Sequence, residues 1–477
     1  MCETKQTDIF SDKTSSDISA EELHRLTVEV ATQIDRKEWQ TAEPLCQRIL
    51  ELCYHHYPAI YLMACIHEQQ GRVEQALKGF ATALAMKLWE EKPFQRFCRL
   101  AEKHNKLSHF TSQAEIVLTT QGPFQTQSFH GHTLKTKALG GTESALIYMA
   151  RELARLEKKV EVYCTCHEPG VYDGVIYRNN IDFGIVNRLS KPPVVVACRN
   201  DHYLQNCTRA TQRWLWIHDR ATGVFNHLGD ESPLLNHSRF EHVFCLSQYQ
   251  KNDWMRAYAM PENKFVCTSN GFDPEIFFPG PQQRPLSLIY TSRPHRGLRT
   301  ALDCVERLRT KYPNLVLKVC TYTYEKSLAE DDEWKPFLED LKKPWVVSLG
   351  TLTKAELAHE LRHSSLLLYP NTSLAETSCI AAIEAMACGC PVITSDNGAL
   401  PETVPHRVGG LVVRFTDNRE ELTQALCEAV TTLFQDDPFM DVLRQSAVRH
   451  VQACYPWGHV ARQWLALFEQ EAQGVPL

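Results

Sequence analysis

From about residue 113 onward, short β-branched runs alternate with amphipathic stretches, and this rhythm constrains the fold more than any other feature of the chain. Parallel strands need a long crossover between them, usually a helix, so the alternation predicts α/β architecture with parallel, doubly wound sheets. Residues 116–119, 160–164, 194–197, 214–217 and 242–246 read as strands, with a helix over 143–156 that puts Leu146, Met149, Leu153 and Leu156 on one face. Pro274, Pro279, Pro281 and Pro285 then mark a linker. The alternation restarts after it, with strands at 286–291, 315–320, 346–348, 366–369, 392–394 and 411–413. Two Rossmann-like domains facing each other across a cleft are expected, and ligands bind such sheets at the carboxyl ends of the strands.

Ahead of these halves, residues 20–105 carry apolar positions at helical spacing and no strand-like alternation. Trp39, Ala42, Cys46 and Leu50 align with Val73, Ala76, Phe80 and Leu84 at a constant offset of 34. A small residue recurs where two antiparallel helices must approach closely. The stretch from Tyr61-Leu62 and Ala64 through Gly71 to Ala76, Phe80 and Ala83-Leu84 resembles one tetratricopeptide unit, and the copy before it is degenerate. Two to three such units make a small helical domain that leans on its neighbour. Two readings stand: a docking surface for a protein partner or acceptor, and a structural appendage.

Composition closes off other classes. The 477 residues are 43% hydrophobic and 23% charged, which excludes wholesale disorder and collagen-like or low-complexity chains. A net charge of −6 gives no reason to expect nucleic acid as a partner. No apolar run approaches the ~18 residues of a membrane span, and the polar first 19 residues, read as a disordered terminus, lack the apolar core of a signal peptide. The expectation is a cytoplasmic protein, peripheral to a membrane at most. Its 18 cysteines are scattered, often within apolar runs, and are read as reduced and buried. The C-x-C pairs Cys164/Cys166 and Cys388/Cys390 are read as packing residues, and no metal site or cofactor is expected.

Four segments carry chemistry. Gly140-Gly141 stands immediately before a helix, where glycines let the backbone approach a phosphate and the helix start offers unpaired N–H groups. His218 ends a predicted strand and is placed to point into the crevice; the plainer alternative is a histidine packed at the sheet edge beside Asp219. Arg293 and Arg296 lie on the loop leading out of the first strand of the second half, three residues apart, where both guanidinium forks can reach one diphosphate. Residues 379–388 are apolar or small except Glu384, and a lone ionised carboxylate there would cost several kcal/mol. Glu384 must therefore be paired, protonated or facing a polar ligand such as a sugar diol. Thr377 and Ser378 are expected to cap this helix, with Glu376 just before its phosphate-friendly amides.

Glu376 and Glu384, separated by seven residues, together with the arginine loop, the glycine turn, His218 and the segment from Asn270 to Pro279, resemble the retaining GT-B glycosyltransferases of family 4. The resemblance spans residues 116–468, about three quarters of the chain. Tyr172-Asp173-Gly174-Val175, Leu246-Ser247-Gln248-Tyr249 and a terminal helix from Trp457 to Trp464 add to it. It implies a nucleotide-sugar donor held by the second domain: Glu384 on the ribose, Glu376 on the transferred sugar, Arg293 and Arg296 on the diphosphate, Gly140 and Gly141 closing over it, Thr377 and Ser378 offering amides, and Thr351 beside the base. His218 would face the sugar from across the cleft. The resemblance also implies metal independence and an acceptor that is a glycan, lipid or protein.

Two departures are conservative: Arg296 stands where a lysine is common, and Ser292 where a glycine often precedes the first arginine. The loop at 122–139, with His130-Gly131-His132, is atypical and is read as an acceptor loop rather than a metal site. The expected divisions are the helical module at 20–112, an acceptor-side domain at 113–280, a donor-side domain at 281–455, and a helix at 456–477 crossing back onto the first domain. Alternatives to a glycosyltransferase are a GT-B nucleotide-sugar epimerase and a non-catalytic scaffold.

Overall fold

Residues 18–120, 127–190, 192–199, 201–204, 207, 212–221, 239–321, 323 and 327–474 are described by the computed structural model. Of the expected disordered terminus over residues 1–19, residues 1–17 lie outside the described residues, as does the start of the histidine loop at 122–126. Five helices come first: α1 (Ala20–Asp35), α2 (Trp39–Leu52), α3 (Tyr57–Gln69), α4 (Val73–Met86) and α5 (Glu91–Lys103). Ser19 caps α1 by accepting from the amide of Glu22. Helices α2 and α4 begin 34 residues apart, and Ala42 and Ala76 are fully buried in them. Where α3 and α4 cross, a Cβ on Gly79 would lie 2.7 Å from the Ala64 Cβ, so only glycine allows the approach.

The first sheet runs in the order β3-β4-β2-β1-β5-β6-β7-β8. Its strands are β1 (Ile116–Thr120), β2 (Val160–Cys164), β3 (Gly170–Tyr172), β4 (Val175–Asn179), β5 (Val194–Cys198), β6 (Gln212–Trp216), β7 (His242–Cys245) and β8 (Phe265–Cys267). All neighbours are parallel except the β3–β4 hairpin, whose turn residues Asp173 and Gly174 have φ of 49° and 81°. Its helices are α6 (Thr133–Thr136), α7 (Gly141–Arg155), α8 (Phe183–Ser190) and α9 (Gln248–Tyr258). Ile116 and Leu118 pack toward α7 while Val117 packs toward α8 and α9, as strand alternation requires. The helical module is fused to this domain. Ile185 of α8 lies in one core with Phe80, Leu84 and Phe97, and Arg188 holds Glu91 at 2.9 Å. A Cβ on Gly184 would come within 3.0 Å of Leu88.

The second sheet is parallel throughout, in the order β11-β10-β9-β12-β13-β14. Its strands are β9 (Ser287–Tyr290), β10 (Val316–Cys320), β11 (Val346–Gly350), β12 (Leu366–Tyr369), β13 (Val392–Ser395) and β14 (Gly410–Val413). Helices α10 (Leu298–Leu308), α11 (Lys354–Arg362), α12 (Ile380–Ala387), α13 (Leu400–Thr403), α14 (Arg419–Phe434) and α15 (Asp437–Cys454) cover it. The final helix, α16 (Trp457–Ala472), packs on the first sheet: Trp464 stacks on Phe244 and donates from Nε1 to Thr268 at 2.8 Å. Two parallel α/β sheets preceded by helices match the expected fold class. Among the described residues, no helix is long and apolar enough to cross a membrane.

Candidate active site

The segment between β12 and α12 brings together most of the residues singled out from the sequence. Glu376 is 9% exposed and accepts from the Tyr369 hydroxyl at 2.7 Å and from the Thr377 amide at 3.2 Å. Burial and the Glu376 charge push the Tyr369 phenol well above its ordinary range, so it stays a donor. Gly398 fixes the backbone of Glu376: it has φ of +77°, and a Cβ there would lie 2.4 Å from both the nitrogen and the oxygen of Glu376. The Arg296 guanidinium reaches to 3.6 Å from the Glu376 carboxylate and donates to the Leu374 carbonyl at 3.2 Å. Gly297, with φ of +113°, lets this loop press against Pro370, which a Cβ would approach to 2.9 Å.

Arg293 is placed differently. Its fork is bidentate on Asp331, at 2.7 and 2.9 Å, and it also pairs with Glu333 at 3.1 Å. The two arginines that look equivalent in sequence thus occupy different settings. Arg293 is bound to carboxylates of its own domain, and Arg296 lies beside Glu376.

Glu384 sits in α12 with 2% exposure, and Lys354, the first residue of α11, pairs with it at 2.5 Å. The start of α11 is set by a capping box between Thr353 and Glu356. Burial pushes the Glu384 carboxyl up, and the Lys354 ammonium opposes that shift. Of the three states the sequence left open for Glu384, the structure shows pairing. Thr351 is exposed just before the capping box and donates to the Thr321 carbonyl at 3.3 Å.

The helix cap differs from expectation. Helix α12 starts at Ile380 with Cys379 as its cap, so the Thr377 hydroxyl is not used there. It donates instead across the cleft to the His218 carbonyl at 2.6 Å, while Ser378 remains half-buried on the same loop. Loop residues beyond a strand end need not cap the next helix when a partner from another domain satisfies them.

On the first-domain side, His218 is 8% exposed and its ring lies 4.5 Å from the Trp216 ring. Burial lowers its pKa to about 3, so it is a neutral imidazole at physiological pH. Among the described residues its Nε2 is buried without a hydrogen-bond partner, as are Thr119 and Thr120 Oγ1 at the end of β1, Trp216 Nε1 at the end of β6, and both side-chain polar atoms of Asn371 after β12. These orphans gather at the carboxyl ends of strands, where a ligand's polar groups would be met. Gly140 caps α7 without a side chain, and a Cβ on Gly141 would lie 3.4 Å from Ile380 of α12, so the glycine turn faces the second domain closely. Asp219 is hydrogen-bonded by Arg199 at 2.8 Å; burial pushes its carboxyl up, but Arg199, with His218 and Arg296, brings it below its ordinary value.

The structure therefore joins Glu376, Arg296, Thr377, His218 and Gly141 in one neighbourhood, with Glu384 one turn into α12. Tyr369, Gly398, Asn371 and Lys354 were not read from the sequence. Of these, Gly398 had the clearest signal, an Asn-Gly pair after a predicted strand. Outside this neighbourhood, His130 and His132 pair with Glu168 at 3.7 Å and Asp173 at 3.2 Å, and His130 stacks on Tyr172.

Residues 286–432 match the family model described as Glycosyl transferases group 1. Over 235 residues the chain is 26% identical to a human phosphatidylinositol N-acetylglucosaminyltransferase component, covering 48% of this chain and 46% of that protein. Alpha-maltose-1-phosphate synthase of Mycolicibacterium smegmatis is 26% identical over 253 residues, covering 48% of this chain and 62% of that one. The matches thus span about half the length of the curated relatives. Among solved structures, the sucrose-phosphate synthase of Thermosynechococcus elongatus superposes with a TM-score of 0.58 at 16% identity, over 76% of this chain and all of that one. Anabaena Alr3699/HepE, in complex with UDP and glucose, gives 0.57 at 16% identity, over 75% of this chain and all of that one. The second α/β domain therefore carries the match to the glycosyl transferases group 1 model, within a two-sheet architecture like that of the solved neighbours.

Proposed function

We propose that this protein transfers a sugar from a nucleotide-sugar donor to a glycan, lipid or protein acceptor, with retention at the anomeric carbon, as a family 4 GT-B glycosyltransferase. The observation that carries the reading is the cluster of Glu376, Arg296 and Thr377 against His218, with Glu384 in the following helix. In this reading Glu384 takes the ribose hydroxyls and Arg296 the diphosphate, with Arg293 setting the charge of the same loop. Glu376, oriented by Tyr369, takes hydroxyls of the transferred sugar. The amides of Thr377 and Ser378, and the turn at Gly140 and Gly141, complete the phosphate and sugar contacts, and Thr351 borders the base.

The bond from C1 of the sugar to the phosphate oxygen breaks as the bond from C1 to the acceptor oxygen forms on the same face. The acceptor's proton passes to the departing phosphate. Arg296 opposes the charge that grows on that phosphate, which is the form of catalysis that lowers the barrier most. The proposal includes chemistry without a resident metal, a cytoplasmic location, and tetratricopeptide-like docking of an acceptor or partner on the helical module. The relative named as an N-acetylglucosaminyltransferase and the neighbour seen with UDP and glucose support sugar transfer from a nucleotide-linked donor.

The test is incubation of the full chain with UDP-, GDP- and ADP-linked sugars in EDTA, with the configuration of the first-formed free or transferred sugar read by NMR. Release of the donor's own anomer is expected. Inverted product contradicts retention, and activity restored only by Mg²⁺ or Mn²⁺ contradicts metal independence.

A further inference from the structure

The Glu384 carboxylate is gripped on one side only. Lys354 Nζ holds Oε1, while Oε2 has no hydrogen-bond partner among the described residues. Both side chains are largely shielded, Glu384 at 2% and Lys354 at 15% exposure, so the pair is a feature of the interior rather than a surface contact. Lys354 has little freedom to leave. It is the first residue of a helix whose start is fixed by the Thr353–Glu356 capping box, and its ammonium lies 5.9 Å from the centre of the Phe277 ring.

We infer that Lys354 is a positioning residue of the donor site, holding Glu384 so that its second oxygen, Oε2, is presented as an ionised acceptor to the ribose hydroxyls of the nucleotide. This rests on the ribose role proposed for Glu384. Without the ammonium, burial alone would favour the protonated carboxyl, in which one oxygen carries a proton and the charge-assisted bonds to the two hydroxyls are lost. The other titratable groups facing Glu384 are Tyr148 on α7 and Cys388 at the end of its own helix. Burial drives the Tyr148 phenol and the Cys388 thiol far above neutrality, so neither changes charge between pH 6 and 9. A pH effect in that window that depends on residue 354 therefore belongs to Glu384.

The experiment measures by calorimetry the affinity of the full chain for whichever of UDP, GDP, ADP or CDP stabilises it most. Wild type, Lys354→Met, Lys354→Arg and Glu384→Gln are compared at pH 6, 7, 8 and 9, each variant as a ratio to wild type so that the ligand's own titration cancels. For Lys354→Met the loss is expected to be larger at pH 6 than at pH 9 and to shrink steadily as pH rises, because burial raises the Glu384 carboxyl and its ionisation recovers with pH. Lys354→Arg keeps the charge and is expected to bind within about twofold of wild type throughout, on the same scale. Should Lys354→Met fail to fold, Lys354→Gln carries the same expectation. A Lys354→Met ratio that does not vary with pH, whether near one or uniformly raised, overturns the inference. Glu384→Gln binding as well as wild type overturns the ribose reading beneath it, a distinct result.

Discussion

The second-domain face of the cleft is built from paired charges, Arg296 with Glu376, Lys354 with Glu384, and Arg293 with Asp331 and Glu333. The first-domain face meets it with a neutral imidazole, a glycine turn and the His218 carbonyl; of its nearby charges, Arg199 pairs with Asp219 and also feels the buried Glu143 beside Gly140. The contrast assigns different work to the two faces. Partly buried charge pairs keep their electrostatic strength and can share it with an anionic ligand, whereas a neutral face offers shape and exclusion of water. A nucleotide diphosphate fits the first of these plans and an acceptor hydroxyl the second.

The sharpest break in that comparison lies between the two arginines. Arg296→Gln is expected to lower turnover by about 10²–10³-fold, because in the proposed reaction its charge acts on the leaving group, with little change in folding stability, because Glu376 keeps its bonds from Tyr369 and Thr377. Arg293→Gln is expected to cost about 3 kcal/mol of stability, since it leaves the buried Asp331 without its bidentate counter-charge and Glu333 with His295 alone. Paired urea denaturation and kinetic assays on the two variants separate these outcomes, and equal profiles would dissolve the distinction.

A next test addresses the backbone rather than the charges. Gly398→Ala places a Cβ on the Glu376 backbone and forces an unfavourable φ, so a stability loss of roughly 1–3 kcal/mol is expected. Donor binding should fall with it, because Glu376 must shift; retained binding at reduced stability would show that Glu376 is not held through Gly398.

A further test addresses the first-domain face. Burial lowers the folded pKa of His218 to about 3, below the unfolded value near 6.5. Below pH ~6.5 the unfolded chain therefore binds a proton that the folded chain refuses. Its contribution to stability is intact above that pH and is lost as pH falls toward 3, with a slope of about 1.4 kcal/mol per pH unit. His218→Gln should remove this slope between pH 6 and 4, read as a narrowing difference in Tm from wild type. An unchanged slope would place the titration elsewhere.

How much of this was legible depends on whether a residue's setting is written locally. The βα rhythm gave away both sheets because strand and helix periods are local, and Glu384 was conspicuous as one carboxylate in an apolar helix. The β3–β4 hairpin went unread although Asp173-Gly174 is a strong turn signal, because a three-residue edge strand has no periodicity of its own. The partners were not legible. Lys354 lies 30 residues before Glu384, and Asp331 38 residues after Arg293, on separate segments that only the sheet order brings together. Thr377 was read as a helix cap because its hydroxyl's true acceptor, the His218 carbonyl, is 159 residues away.

The central claim is that the second α/β domain binds a nucleotide through Glu384, and thermal shift of the full chain with UDP, GDP, ADP and CDP tests it most directly. One of the four, at about 100 times its Kd, should stabilise the wild type by about 2.7 kcal/mol. Glu384→Ala should fold yet lose that shift, since it removes charge-assisted bonds worth about 1.5–3 kcal/mol each. No shift with any of the four, or an equal shift in Glu384→Ala, would contradict the claim.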